Sequence, residues 1–516
     1  MEMEIPSFPV LFFSIVVFMV MKMLLKNSQN SSSASKLPPG PWKLPIVGNI
    51  HQLIGPLIHQ TLGDLAMKHG PLMYLRVGEV PTIVISSPEY AKEVMRVHDI
   101  TFASRPSNLF ARIIFHDCTD LAFAPYGEYW RQLRKIFMQE LLSAARVQSF
   151  KPIREEEMFN FIESISSNLG DVINLNERLN MLMYNIISRA ACGRTRSHNE
   201  EFLSVLMETT EVSIGFELAD LFPSVKLFSQ MSRSRPKLER LTQRAARIFE
   251  DIIHEHKQKM PIDRNGDGET DEDLVDVLLK FHDKDDLGFS LTSQNIYAII
   301  FDIFGAGIET TATSVEWAMS EMMKNPRTMK KAQDEVREVF NKRGLVDETG
   351  LAEMNYLKSV VKESMRLHPI FPLLLPRESQ EKCEINGYEI PAKTQTIVNS
   401  WVIGRDPRYW SEPESFKPER FLDSSIDSKG NNFDYLPFGG GRRICAGMSF
   451  GLHNVELSLA LLLYHYDWIL PNGMKHEDLD MTESFGATLK RKNALNLFPI
   501  ACDHLSPTGK SQEKMN

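Results

Sequence analysis

The stretch Phe438-Gly-Gly-Gly-Arg-Arg-Ile-Cys-Ala-Gly447 decides how this chain is read. Cys445 stands between a glycine-rich loop and an apolar run, 448–464, with helical period. A cysteine just ahead of a helix faces unpaired N–H groups and the positive end of the helix dipole, which favour its thiolate. The glycines at 439–441 let the backbone bend closely and aim further N–H donors at the sulfur. A thiolate so placed suits a nucleophile or an iron ligand. A lone cysteine is also commonly a small buried hydrophobe. No second Cys or His lies at a zinc spacing nearby, and no G-x-G-x-x-G or G-x-x-x-x-G-K-[ST] pattern marks a phosphate loop here.

Outward from this stretch, the 516 residues suffice for a large core, with 43% apolar and 24% charged residues, an ordinary globular balance. A net charge of −9 argues against nucleic acid as a general partner. Five scattered cysteines form no disulfide framework and suit a reducing compartment. Residues 5–21 are almost wholly apolar, and Leu24-Leu25 extend the run to about 26–30 Å of helix, near the thickness of a bilayer core. A cleaved signal peptide is the competing reading, but it favours a basic start, whereas Glu2 and Glu4 precede this run. Lys22, Lys26, Lys36 and Lys43 follow it, so the positive-inside rule places the body of the protein in the cytosol. The expected organisation is an anchor at 1–25, a polar and proline-rich linker at 26–44, one catalytic domain at 45–505 and a polar tail at 506–516.

Residues 72–86 read as a β-hairpin turning at Gly78-Glu79, whereas 88–97, 126–142, 150–168, 233–259, 274–284 and 298–323 read as helices. The acidic stretch 263–273 reads as an exposed loop; it lacks the register of a calcium loop. Within the 298–323 helix, Ala306-Gly-Ile-Glu-Thr-Thr311 combines poor helix formers with a charge in apolar surroundings. A small residue at a helix crossing explains Gly307 alone but not the group. Trp130 and Arg134 share one helix face at i and i+4. Glu363 and Arg366 stand at i and i+3, followed by Pro418-Glu-Arg-Phe421. Pro369-Ile-Phe-Pro-Leu-Leu-Leu375 is apolar and too proline-bound for a helix.

Phe438, Gly441, Arg443, Cys445 and Gly447 match the F-x-x-G-x-R-x-C-x-G haem-thiolate loop of the cytochrome P-450 superfamily. W-x-x-x-R, A-G-x-E-T-T, E-x-x-R and P-E-R-F follow the family's order, so the likeness spans nearly the whole chain. The wider pattern resembles a plant group that contains terpenoid hydroxylases. The resemblance implies a mainly α fold with small β-sheets, the cytochrome P-450 fold, and haem (iron protoporphyrin IX) with Cys445 as the axial thiolate. It implies Phe438 packing at the cofactor, and Trp130, Arg134, Arg377 and Arg443 as partners of the haem propionates. It further implies that Ala306 and Gly307 leave room above the iron, that Thr310 hydrogen-bonds dioxygen and that Glu309 relays protons. Ile303, Ala306, Ile370, Leu374 and Phe485 are expected to line the substrate pocket, and Glu363, Arg366 and Arg420 to form a structural ion network.

The implied reaction inserts one oxygen atom of dioxygen into a hydrophobic small molecule, a sesquiterpene or diterpene fitting best, with an alkaloid or phenolic as the alternative. A haem-thiolate isomerase or dehydratase, or a non-catalytic haem protein, has no need of the Glu309-Thr310 pair. No flavin or dinucleotide fingerprint is present, so electrons must come from a partner, which the resemblance implies is an NADPH–cytochrome reductase. Arg131, Lys135 and Arg442 are candidates for its docking face. The implied location is the endoplasmic reticulum membrane, with a single span and a cytosolic catalytic domain.

Overall fold

A computed structural model describes residues 36–193, 199–212, 217–259, 272–282, 291–486 and 488–502. The expected anchor, residues 26–35 of the linker, most of the 263–273 loop and the C-terminal tail lie outside the described residues, as does the side chain of Phe485.

The fold is built around one helix, Ser293–Lys324, of 32 residues, about 48 Å long at 1.5 Å per residue. It begins five residues earlier than its apolar period predicts. Thr292 and Asn295 form a reciprocal capping box there, so a polar first turn precedes the apolar stripe. By length and composition this helix could cross a membrane. Its neighbours place it in the core instead: Leu175–Cys192, Pro326–Arg343, Asn355–Leu367 and Met448–His465 pack around it, and Ile299, Ala312 and Val315 are fully buried.

The expected hairpin is present as Leu72–Val77 and Val80–Ile85. It belongs to a four-stranded sheet. Val80–Ile85 runs parallel to Gln395–Val398, with Thr82 opposite Gln395, and Arg377–Glu378 adds an antiparallel edge. Small sheets elsewhere join Ile173–Asn174, Asn496–Ala501 and Tyr466–Ile469, and pair Glu483–Phe485 with Leu489–Arg491. Helices Lys151–Ser166 and Arg235–Lys259 lie close to their predicted limits. Two predicted helices change type on the way: Glu128–Ile136 continues as a π turn over Phe137–Leu141, and Pro88–Lys92 as one over Glu93–Val97. Leu274–Lys280 stops four residues short of the prediction.

Candidate functional site

A cavity of about 1660 Å³ separates the central helix from the 438–447 loop, and Cys445 and Thr310 both line it. The loop is pressed onto the helical segment 93–97. Gly441 has φ +65°, and a Cβ there would lie 2.2 Å from the Met95 carbonyl oxygen, so only glycine fits. The Cys445 N–H donates to the Phe438 carbonyl at 3.1 Å, closing the loop beneath the sulfur. The thiol is exposed to the cavity while protein surrounds it on every other side. Burial pushes its pKa up, opposed by the Gly447 N–H, the Arg134 charge and the Met448 N–H. The N–H groups at the helix start thus favour the thiolate, while burial opposes it. A metal ion at the sulfur would deprotonate it outright.

Beside the sulfur lies a cluster of buried cations. Arg443 donates to three carbonyls: Nε to Ala103 (2.6 Å), Nη1 to Leu121 (3.2 Å) and Nη2 to Ala124 (2.5 Å). Arg377 Nη2 donates to Gly440 at 2.6 Å, while its buried Nη1 has no hydrogen-bond partner. Arg105 Nη1 donates to Leu375 (2.6 Å) and Pro376 (2.8 Å), and Nε to Ala122 (3.1 Å). Burial, then the Arg377 charge, pushes Arg443 down to about 9; burial lowers Arg377 to about 10, against the pull of Asp99. Arg105 is driven well below its usual value by burial and by both neighbouring guanidiniums. Guanidinium does not surrender its proton in a protein, so these directions describe crowded positive charge that calls for an anion.

Arg105 went unrecognised in the sequence because two of its three acceptors, the Leu375 and Pro376 carbonyls, lie 270 and 271 positions away. Arg134 lines the cavity. Trp130 does not offer its N–H to the cavity; Nε1 donates to the Leu121 carbonyl at 3.1 Å, and the ring lies beneath Arg443.

The facing wall is the central helix. Ile303, Gly305, Ala306 and Thr310 line the cavity, and Ile370 and Leu374 close its side. Leu374 adopts a left-handed backbone, φ +49°. Thr310 Oγ1 donates to the Ala306 carbonyl at 2.6 Å. Gly307 has a packing role: a Cβ there would meet Ile187 Cδ1 at 2.5 Å, whereas nothing lies within 4 Å of one on Gly305. Gly305, Ala306 and Gly307 all line the cavity, and at Gly307 the missing side chain also makes room for Ile187. Glu309 is bound by Thr488 and by Lys490 Nζ, 2.5 Å from Oε1.

Two carboxyls missed in the sequence lie together here, and Asp302 of the pair lines the cavity. Asp302 accepts from the Ala122 N–H (3.2 Å) and Asp120 from the Phe123 N–H (2.9 Å). Burial raises Asp302 to about 6, and burial together with the Asp302 charge raises Asp120 well above the carboxylate range. A charge in the apolar stripe one turn before Ala306 was the available signal for Asp302.

Behind the cavity, Glu363 grips Arg366 through both oxygens (2.7 and 2.9 Å) and Arg420 Nε (2.9 Å), and accepts from the Lys417 N–H. Arg366 extends to the carbonyls of Gly404, Pro413 and Ser415. The three residues form one network, and none of them lines the cavity.

An open thiol facing an apolar wall, with crowded guanidiniums beside it, fits a planar, dianionic iron porphyrin. The cytochrome P450 family profile matches residues 38–498. The chain is similar to cytochrome P450 71D11 of Lotus japonicus, 54% identical over 489 residues, covering 94% of this chain and 99% of that one. Tabersonine 16-hydroxylase 1 of Catharanthus roseus is 51% identical, covering 98% and 100%. Premnaspirodiene oxygenase of Hyoscyamus muticus is 48% identical, covering 94% and 97%. Among solved structures, a zebra fish cytochrome P450 determined with abiraterone superposes with a TM-score of 0.73 at 22% identity, over 87% of this chain and all of that one.

The chain belongs to the cytochrome P450 family. It is a plant-type monooxygenase of that family, whose members carry haem on a thiolate ligand.

Proposed function

We propose that Cys445 is the axial thiolate of a haem held at its propionates by Arg105, Arg134, Arg377 and Arg443, and that the enzyme oxidises a sesquiterpene or diterpene. The observation that carries this reading is the pairing of the open Cys445 thiol with an apolar wall across the same cavity. Thiolate-ligated haem supplies the activation of dioxygen. The protein's part is to exclude water with Ile303, Ala306, Ile370 and Leu374, and to hold a hydroxyl at Thr310 and a carboxylate at Glu309 on the oxygen side. In the overall reaction two electrons from NADPH and two protons leave one oxygen atom in the product and the other in water. Premnaspirodiene oxygenase and salviol synthase (48% identical) among the relatives support a terpenoid. An alkaloid is the second reading, favoured by the two tabersonine hydroxylases at 51% and 50% identity.

The electrons come from an NADPH-dependent reductase at the membrane of the endoplasmic reticulum. Lys135 is the freest candidate for its docking face, because Arg131 is paired with Glu128 and Arg442 with Asp99 (3.3 Å). Exposed Ile54, Leu227 and Met231 adjoin the rim residues Gly55, Lys226 and Gln230, which supports an apolar membrane against the cavity mouth.

Sesquiterpene, diterpene and alkaloid panels incubated with NADPH, with and without reductase, test the assignment. Oxygenated product that needs reductase is expected from the terpenes. A thiolate-type absorption band of the reduced CO complex surviving in Cys445→Ala would sink it.

A further inference from the structure

Trp317 lies outside the cavity yet is joined to two of its walls. It stands three helical turns beyond Ala306, about 16 Å along the central helix, and continues the stripe of Ile303, Ala306, Thr310 and Ser314 past the cavity's end. The indole is fully buried. Its Nε1 donates to the Leu489 carbonyl at 2.9 Å, and the Leu489 N–H donates to the Ile370 carbonyl at 2.8 Å. His368, two residues before Ile370, lies flat on the indole, with ring centroids 3.8 Å apart and planes 1° apart. Its Nε2 lies 2.7 Å from Glu321 of the central helix. Indole, Leu489 peptide, Ile370 and His368 thus close a ring of contacts among three segments.

Two of those segments are cavity walls. Ile370 lines the cavity, and so do Gly486 and Thr488, from the turn between the paired strands Glu483–Phe485 and Leu489–Arg491. Thr488 and Lys490 also reach Glu309, but by their side chains. The first strand is held at Glu483 by His59 (3.0 Å), Gln60 (3.2 Å) and Trp401 (3.1 Å). The Leu489 peptide is what joins the hairpin backbone to the central helix on one side and to Ile370 on the other. Without the indole N–H, the Leu489 carbonyl is buried and unpaired. The turn is then free to shift against Ile370, while Glu483 and the Leu489 N–H keep the hairpin in the fold.

We propose that Trp317 is a positioning residue: through the Leu489 peptide it sets the gap between Ile370 and the turn residues Gly486 and Thr488, and so selects which carbon of the substrate is presented for oxygenation. This role rests on the proposed site, in which the substrate fills the cavity above the haem.

The test uses the full-length, haem-loaded protein and compares two bonds of one kind. Trp468 Nε1 donates to the Leu462 carbonyl at 3.0 Å, and neither residue lines the cavity, so Trp468→Phe is the control for lost stability alone. A series running from imidazole to aryl-substituted imidazoles, each titrated by its shift of the haem absorption, needs no substrate. In Trp317→Phe the affinity of the bulky members relative to imidazole is expected to change by about 3- to 10-fold, the effect of one neutral hydrogen bond. With reductase and a turned-over terpene, the ratio of product regioisomers should shift by a similar factor. Trp468→Phe should leave both unchanged. If Trp317→Phe yields no haem-loaded protein, benzothienylalanine at position 317, with sulfur for the N–H in a ring of the same shape, takes its place. An unmoved azole series or product ratio in the altered protein, or an equal shift in Trp468→Phe, overturns the proposal. A shifted azole series in an enzyme that oxidises no terpene upholds the gap-setting role and removes the terpene from the proposed function; the alkaloid panel then supplies the product ratio.

Discussion

The guanidinium of Arg443 lies over the indole of Trp130, 4.2 Å from the ring centroid, and both side chains donate to the one Leu121 carbonyl. The pair therefore acts as a single fixture, in which ring and carbonyl hold a buried cation beside Cys445.

Arg443→Lys should keep the charge but lose the fork that spans three carbonyls. Charge-assisted bonds of this kind contribute about 1.5–3 kcal/mol each, and an ammonium recovers only part of the set. We expect a stability loss of about 2–4 kcal/mol and faster haem release, read by denaturant midpoint and by transfer of haem to apomyoglobin. Trp130→Phe should behave more mildly, since the stacking face survives.

Glu363 and Arg366 have no exposed side-chain surface. Removing one partner leaves the other charge buried and unpaired, which costs about 3–5 kcal/mol. Glu363→Ala should thus yield little folded protein, with or without haem. If Glu363→Ala instead folds normally and loses only turnover, the network is catalytic and its structural role is wrong.

Gly305 and Gly307 should respond oppositely to alanine. Gly307→Ala drives a methyl into Ile187, an overpacking expected to cost about 1–3 kcal/mol and to be relieved by Ile187→Ala. Gly305→Ala gains about 1 kcal/mol of helix propensity, because nothing obstructs its methyl, which enters the cavity. A double-mutant cycle on thermal stability checks the first, and substrate-induced spectral shifts check the second.

His256 joins two helices through both ring nitrogens, Nδ1 to the Ile252 carbonyl (2.7 Å) and Nε2 to Asp273 (2.8 Å). Both acceptors need a proton, so the fold selects the imidazolium. Burial alone would lower its pKa, but the Asp273 hydrogen bond and charge raise it above the usual value. A raised folded pKa contributes stability that is complete below the unfolded value, about 6.5, and is lost as pH climbs through the folded one. Unfolding midpoints across pH 6–9 should therefore fall more steeply for the wild type than for His256→Gln.

At the docking face, Lys135→Glu should lower reductase-supported turnover and flatten its dependence on salt, while leaving the haem spectrum alone. Unchanged salt dependence would move the reductase to another surface.

What the residues determined by themselves is local. The loop around Cys445, the Ala306–Thr311 turn and the Glu363–Arg366 pair each lie within one turn or one helix, so backbone spacing carries their chemistry. The haem-thiolate class and the monooxygenase reading follow from those spacings. The tertiary structure alone decided which charges meet. Arg105 bonds to carbonyls at 375 and 376, Asp302 to the N–H at 122, and Lys490 to Glu309. Such contacts depend on how a helix, a loop and a hairpin far apart in the chain pack together, and hydrophobic period records only which face of each is buried. Gly307 shows the same limit: its neighbour Ile187, 120 residues earlier, gives it a packing role that its motif does not reveal.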